Sequence, residues 1–215
     1  MTSGSDLPHS TRRLAALTLV GAVVGAGLAV WLLRSAVPGD ESAEAGFARD
    51  MATHHAQAVE MSLLIRDTAS DAALRTLAYD IIVTQSTQRG VFMGWLQAWG
   101  ARQTSTRPRM AWMPGHAHAV AAVGGGEPLM HGMATDEEMG RLREARGAEA
   151  EVLFLQLMIR HHEGGVVMAR ALEGLSRRDE VLGMARSIDS TQRAEIAAMT
   201  EMLAQRSARP FASIL

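Results

Sequence analysis

The sequence predicts an all-α protein: a four-helix bundle made of two duplicated helical hairpins, preceded by one N-terminal transmembrane helix. Three observations predict this fold. Residues 14–33 form an uncharged, mostly apolar run, two later segments repeat each other at a constant offset, and each repeat contains two long stretches with helical periodicity. The 215 residues therefore divide into an anchor and one helical domain.

The anchor is predicted from the length of the apolar run, which is roughly what an α-helix needs to cross a bilayer. Arg12 and Arg13 precede residues 14–33, and acidic residues follow in the linker of residues 34–43. This asymmetry favours a cytoplasmic N-terminus at residues 1–13, a single pass through the cell membrane and an extracytoplasmic bundle. The alternative is secretion after signal cleavage, although the run exceeds the usual signal-peptide core of about 7 to 15 residues.

The duplication is visible in two short stretches, MATHHAQAVEM starting at Met51 and MIRHHEGGVVM starting at Met158. Each places a His-His pair three residues after one Met and six before another. The same offset aligns Gln85 with Gln192, far beyond the motif itself. The repeat unit is therefore a pair of helices, and two such hairpins make a four-helix bundle.

Periodicity predicts four long helices, over about residues 42–67, 71–99, 148–173 and 177–206. Ser70 and Ser176 are candidate N-caps for the second helix of each hairpin, and Gly100 predicts where the first hairpin ends. The domain boundaries that follow are a bundle at 44–206, which includes a crossover link at 101–134, and a tail at 207–215.

The link is far longer than ordinary connections between helices. It contains seven candidate soft or borderline ligands: Met110, Met113, His116, His118, Met130, His131 and Met133. Metal uptake would explain this composition, and disordered filler would explain it equally well. Thr135 and Glu138 then form a capping box, which predicts a short helix through about Arg146.

The motif residues share one face of their helix. At about 100° per residue they fall within a sector of roughly 120°, which is also the face that a bundle helix buries. A buried imidazole needs a partner, and a metal ion can be that partner, although Met stripes are usually core packing. The candidate ligands are Met51, His54, His55, Met61, Met158, His161, His162 and Met168, with Met199 as an additional candidate.

The residue types favour copper over zinc or iron. Di-iron bundles place Glu-x-x-His on core helices, because hard carboxylate oxygens suit iron. Here Met51 and Met158 take the place of that Glu, and thioethers favour copper, as Cu(I), Cu(II) or both. Glu60 and Glu163 are near, but neither has an acidic counterpart in the other half.

Composition excludes several classes of function. The formal charge is −2, from 23 acidic and 21 basic residues without a long run of either sign, so a nucleic-acid partner is not expected. The chain has no cysteine, which excludes disulfides, thiolate metal sites and a cysteine nucleophile. Soft-metal chemistry must therefore use the 14 Met and 8 His residues.

The stretches FARDMATHHAQAVEMS, QSTQRGVFMGWL, MIRHHEGGVVMA and QRAEIAAMTEML resemble the ferritin-like domain of unknown function 305 family, over about residues 44–205. The first half departs from the pattern, because Gln88 and Arg89 stand where the family has Glu and Ile. The resemblance implies a ferritin-like four-helix bundle that is usually secreted or membrane-anchored. It also implies relatives that resemble periplasmic copper-binding and copper-resistance proteins, and it implies no established enzymatic activity.

The leading hypothesis is a membrane-anchored extracytoplasmic protein that sequesters copper or hands it on through Met and His of the first and third bundle helices. A metal-transfer partner protein or a homo-oligomer would fit this role. One alternative is a copper or di-metal oxidoreductase, which the missing paired carboxylates count against. The other is a metal-free bundle that binds a partner, with its His pairs hydrogen-bonded across the core or sensing pH.

Overall fold

The computed structural model describes residues 9–35, 37–115 and 129–215, and the chain divides after Val37 into two compact units. Within the described residues there are six helices and no β-strand. They are α1 His9–Ser35, α2 Ala43–Arg66, α3 Ala72–Ala98, α4 Asp136–Glu144, α5 Gly147–Glu173 and α6 Asp179–Gln205.

The N-terminal unit contains α1, whose apolar side chains are largely exposed, including Leu17, Val23 and Trp31. The transmembrane helix predicted over residues 14–33 is not supported. Among the helices that the structure describes, none combines the length and the hydropathy needed to span a membrane.

The second unit is built from two hairpins. Helix α2 packs against α3, α5 packs against α6, and the hairpins meet through α2 and α5, with the short α4 against both. The predicted helix boundaries lie within about two residues of these bounds. The all-helical class and the paired arrangement of the four long helices therefore agree with the sequence periodicity.

Two predicted N-caps are wrong. The carboxylate of Asp71 caps α3 by accepting hydrogen bonds from the Ala73 and Leu74 amides. Ser70 instead donates its hydroxyl and its amide to Glu151, at 2.8 and 2.7 Å, so its side chain faces another helix. Helix α6 begins three residues after Ser176, at Asp179, and its N-cap residue is Arg178, which makes no side-chain capping hydrogen bond.

Two other terminal signals are confirmed. Gly100 has φ 65°, and the amides of Gly100 and Ala101 donate to the carbonyls of Gln97 and Leu96, which is the Schellman arrangement that glycine favours. Thr135 and Glu138 form the predicted capping box at the start of α4.

The core consists of two apolar clusters at opposite ends of the bundle. The link-side cluster includes Phe47, Met51, Phe92, Met110, Trp112, Met113, Met130 and Met168. The hairpin-side cluster includes Met61, Ile65, Leu74, Ile81, Phe154, Met158, Met199 and Leu203. Helix α2 runs from the first cluster to the second and α5 runs from the second to the first, so the two helices are antiparallel.

The described parts of the link pack against the bundle. Asp50 accepts hydrogen bonds from the Met110 amide and the Trp112 indole, at 2.7 and 2.8 Å, and this holds the first part of the link over the start of α2. Near the other end of the link, Gln57 makes a pair of hydrogen bonds with the backbone of Ala134. The link is therefore a structural part of the bundle on both sides of residues 116–128, which lie outside the described residues.

A close backbone contact fixes the second part of the link. Gly132 has φ 76°, and it packs against the backbone of Arg160. A Cβ atom at Gly164 would collide with the carbonyl oxygen of His131. The link can reach α5 only because these two positions have no side chain.

We expect Gly164→Ala to destabilise the protein by about 2 kcal/mol, because the new methyl group meets backbone that cannot rotate away. Urea unfolding measures this change. Gly183→Ala is the control, since a Cβ there contacts nothing within 4 Å, and it should stabilise the exposed helix by about 0.5 to 1 kcal/mol. Equal free energies of unfolding for the two variants would contradict the contact.

Candidate metal centre

Four histidines form a buried layer between the two apolar clusters. His54 and His55 of α2, and His161 and His162 of α5, have no exposed surface. The rings of His54 and His161, which are equivalent residues of the two repeats, lie 3.7 Å apart between centroids. The two His pairs therefore form one layer where α2 crosses α5, which we call the His layer.

Three of these imidazoles donate a hydrogen bond through Nε2. His54 donates to the carbonyl oxygen of His131 at 3.1 Å, His55 to the amide oxygen of Gln88 at 2.7 Å, and His162 to a carboxylate oxygen of Glu195 at 2.6 Å. In its neutral form an imidazole carries one N–H, and in that form these acceptors place the proton on Nε2 and leave a lone pair on Nδ1.

The Nδ1 atoms of the His layer are buried and make no hydrogen bond within the described part of the chain. Neither ring nitrogen of His161 has a hydrogen-bond partner among residues 9–35, 37–115 and 129–215. Buried polar atoms are nearly always paired, and an exception points to water, an ion or a functional role. In metal-binding histidines, one ring nitrogen binds the metal and the other usually donates a hydrogen bond to a fixed acceptor.

Burial keeps the rings of His54, His55 and His161 neutral. It lowers the pKa of His54 and of His55 to about 3, because a charged imidazole would lose its hydration there, and the neighbouring imidazoles add to the shift. The pKa of His161 is lowered well below its usual range, first by burial and then by the nearby rings. A neutral imidazole is the form that binds metal ions.

Sequence reasoning missed the residues that orient the rings. Gln88 and Glu195 occupy equivalent positions in the two repeats, and each accepts the Nε2 proton of the equivalent histidine, His55 or His162. The signal was present in the sequence, because the constant offset that pairs the histidines also pairs Gln88 with Glu195. No pattern predicts the third acceptor, the carbonyl of His131, because it is backbone.

The motif methionines are divided between the two sides of the His layer. Met51 and Met168 are buried in the link-side cluster, and Met61 and Met158 in the hairpin-side cluster with Met199. This division follows from antiparallel packing, which places the first Met of one motif beside the last Met of the other. Thioethers from both helices therefore flank the layer on both sides.

The candidate residues of the link fall into three groups. Met110, Met113 and Met130 are buried in the link-side cluster, and Met133 packs against it while partly exposed. His131 is partly buried, and its carbonyl contacts the His layer. His116 and His118 lie outside the described residues.

The acidic residues near the motifs have other partners. Glu60 pairs with Arg143 at 2.5 Å, and Glu163 accepts hydrogen bonds from Ser213 and from the Ile214 amide. In the portion of the chain that is described, no three His, Asp or Glu side chains form a group that could hold a metal ion.

The residues present fit a soft metal ion. The buried atoms without a hydrogen-bond partner in the described residues include ring nitrogens of all four histidines, and the apolar clusters on either side of them contain thioethers. Imidazole and thioether together suit copper, whereas magnesium, calcium and manganese require oxygen ligands.

The fold and this site define a class of protein: a helical bundle with a buried layer of histidines flanked by methionines. The chain belongs to the DUF305 family, a domain of unknown function, whose family model matches residues 44–203. The resemblance found in the sequence is thereby confirmed. None of the functionally curated proteins matches the sequence.

Solved structures share the fold. A DUF305 protein from Streptomyces coelicolor, named as a predicted secreted protein, is 42% identical with a TM-score of 0.73, over 81% of this chain and 99% of its own. A DUF305 fragment from Deinococcus radiodurans is 32% identical with a TM-score of 0.62, over 76% and 96%. CopM in its Cu(II)-bound form is 26% identical with a TM-score of 0.58, over 76% and 97%.

We expect the metal-free protein to lose stability as the pH falls from 7 to 5. The unfolded chain protonates its histidines near pH 6.5, whereas His54 and His55 in the folded state protonate only near pH 3. The unfolded state therefore binds more protons between these values, and each such imidazole subtracts about 2 kcal/mol at pH 5. Urea unfolding with a chelator present, at pH 7, 6 and 5, measures the slope.

The control for this slope is His55→Asn, which keeps a neutral polar group but cannot titrate. The variant should show a shallower loss of stability over the same pH range. A wild-type free energy of unfolding that stays constant from pH 7 to pH 5 would contradict the burial of neutral imidazoles.

Proposed function

We propose that this protein binds copper in an extracytoplasmic compartment, and that it sequesters the ion or passes it on. The observation that carries the proposal is the His layer, in which four fully buried imidazoles keep ring nitrogens that have no hydrogen-bond partner among the described residues. Leaving such groups unsatisfied is costly, and a metal ion held by their lone pairs would offset that cost.

The ligands we assign to copper come from the layer and its flanks. His54 and His161 lie in ring contact at the centre, and His55 and His162 are oriented by Gln88 and Glu195. Thioethers from Met51 and Met168 complete a donor set of nitrogen and sulfur. Both donor types bind Cu(I), and imidazole also accepts Cu(II).

The comparison with CopM supports copper as the ion. CopM shares the fold over nearly its whole length, and it is known in a Cu(II)-bound form and, at 25% identity to this chain, in an Ag-bound form. Silver(I) and copper(I) are both soft monovalent ions. The thioethers and imidazoles of this chain also favour soft monovalent ions.

The extracytoplasmic location is supported by two features. The Streptomyces coelicolor relative, 42% identical, is named as a predicted secreted protein. The candidate ligands include no cysteine, so they resist the disulfide formation that thiols undergo in oxidising compartments.

Replacing His54, His55, His161 and His162 by Ala should weaken Cu(I) binding about 100-fold or more, because the nitrogen donors are removed. Anaerobic titration of the full chain against a Cu(I)-specific chelator measures the affinity. Circular dichroism checks that the variant is folded, and the pair His54→Asn and His161→Asn replaces it if it is not. Retained affinity in a folded variant would contradict the proposal.

The double variant Met51→Leu and Met168→Leu should weaken Cu(I) binding about tenfold with little loss of stability, since Leu preserves side-chain volume. Met93→Leu is the matched control, because Met93 is 40% exposed on α3. The pair Met61→Leu and Met158→Leu tests the other side of the His layer. If only that second pair weakens binding, copper does not use the link-side methionines.

A further inference from the structure

The two halves of the His layer differ in charge. His162 donates to the carboxylate of Glu195 at 2.6 Å, whereas His55 donates to the neutral amide of Gln88 at 2.7 Å. Gln88 and Glu195 are equivalent positions of the repeat, and the two hydrogen bonds are similar in length. At this pair of equivalent positions the two acceptors therefore differ in charge.

Other carboxylates near the layer are paired with groups outside it. Glu163, the residue after His162, is held by Ser213 and the Ile214 amide. Glu138 pairs with Arg160 at 2.6 Å. Among the described contacts of the four histidines, the carboxylate of Glu195 is the single acidic group.

We infer that Gln88 and Glu195 together set the charge of the centre at −1 and thereby select a monovalent soft cation, Cu(I), over a divalent one. This inference rests on the proposed copper-binding function and names the oxidation state that the site prefers. Gln88 and Glu195 are positioning residues, because each acts through the imidazole to which it is hydrogen-bonded.

The physical reason is the cost of net charge in a site shielded from water. A monovalent ion with one carboxylate leaves the buried centre neutral. A divalent ion would leave one uncompensated positive charge, and a second carboxylate would leave one negative charge beside a monovalent ion. Uncompensated buried charge is strongly unfavourable, since the surroundings cannot replace its hydration.

The duplication supplies the variants that test this inference. Gln88→Glu installs in the first half the His–Glu pair that the second half already has, and Glu195→Gln does the reverse. Both pairs occur in the same fold, so the variants are compatible with it. The double swap Gln88→Glu with Glu195→Gln moves the carboxylate to the other half and keeps the net charge.

The measurement is the affinity of the full chain for Cu(I) and for Cu(II), each determined against a competing chelator, and the ratio of the two. Gln88→Glu should shift this ratio towards Cu(II) by about tenfold or more, which is about 60 mV for a one-electron couple. Glu195→Gln should shift it by a similar factor towards Cu(I). The double swap should return the ratio to the wild-type value.

The outcomes separate this inference from the proposed function. If the wild type binds copper and the ratio is the same in all four proteins, the charge selection is wrong and copper binding stands. If the affinity ratio of the double swap equals that of one single variant and not that of the wild type, the net charge of the centre does not determine which copper ion it prefers. If the wild type binds neither ion, the proposed function itself fails.

Discussion

The burial of four imidazoles where α2 crosses α5 is the constraint on which the rest of the domain depends. Side chains with strong hydrogen-bonding groups occupy a position that an ordinary bundle would fill with Leu or Ile. The surrounding structure orients them through Gln88, Glu195 and the His131 carbonyl. Within the part of the chain that the structure describes, ring nitrogens of all four histidines have no protein partner, so stability is given up where a ligand can be bound.

Duplication explains how one sequence motif contributes side chains from two helices to the same site. Because α2 and α5 are antiparallel, the repeated Met and His spacing places equivalent histidines in contact and a methionine from each helix at both ends of the layer. The link then covers the junction, and Gly132 and Gly164 allow its backbone to approach α5. The long connection therefore contributes both packing and one acceptor of the layer.

Most of the fold could be predicted from the sequence, since helix periodicity and the internal repeat depend on local spacing. Gly100 ends a helix as expected, and the Thr135 capping box begins one. Ser70 does not cap α3, because its hydroxyl donates to Glu151, which is distant in sequence. The ring acceptors were missed for a related reason. Their role appears only when two helices pack, and the His131 carbonyl has no side-chain signature at all.

The most direct test of a copper centre in the His layer is the ¹⁵N NMR spectrum of the imidazoles, recorded for the metal-free and the Cu(I)-loaded full chain. The structure places the ring proton on Nε2 of His54, His55 and His162, so copper should shift the Nδ1 signals while the Nε2 protons remain. Unchanged imidazole signals in a protein that has bound Cu(I), or loss of the Nε2 protons, would contradict this account.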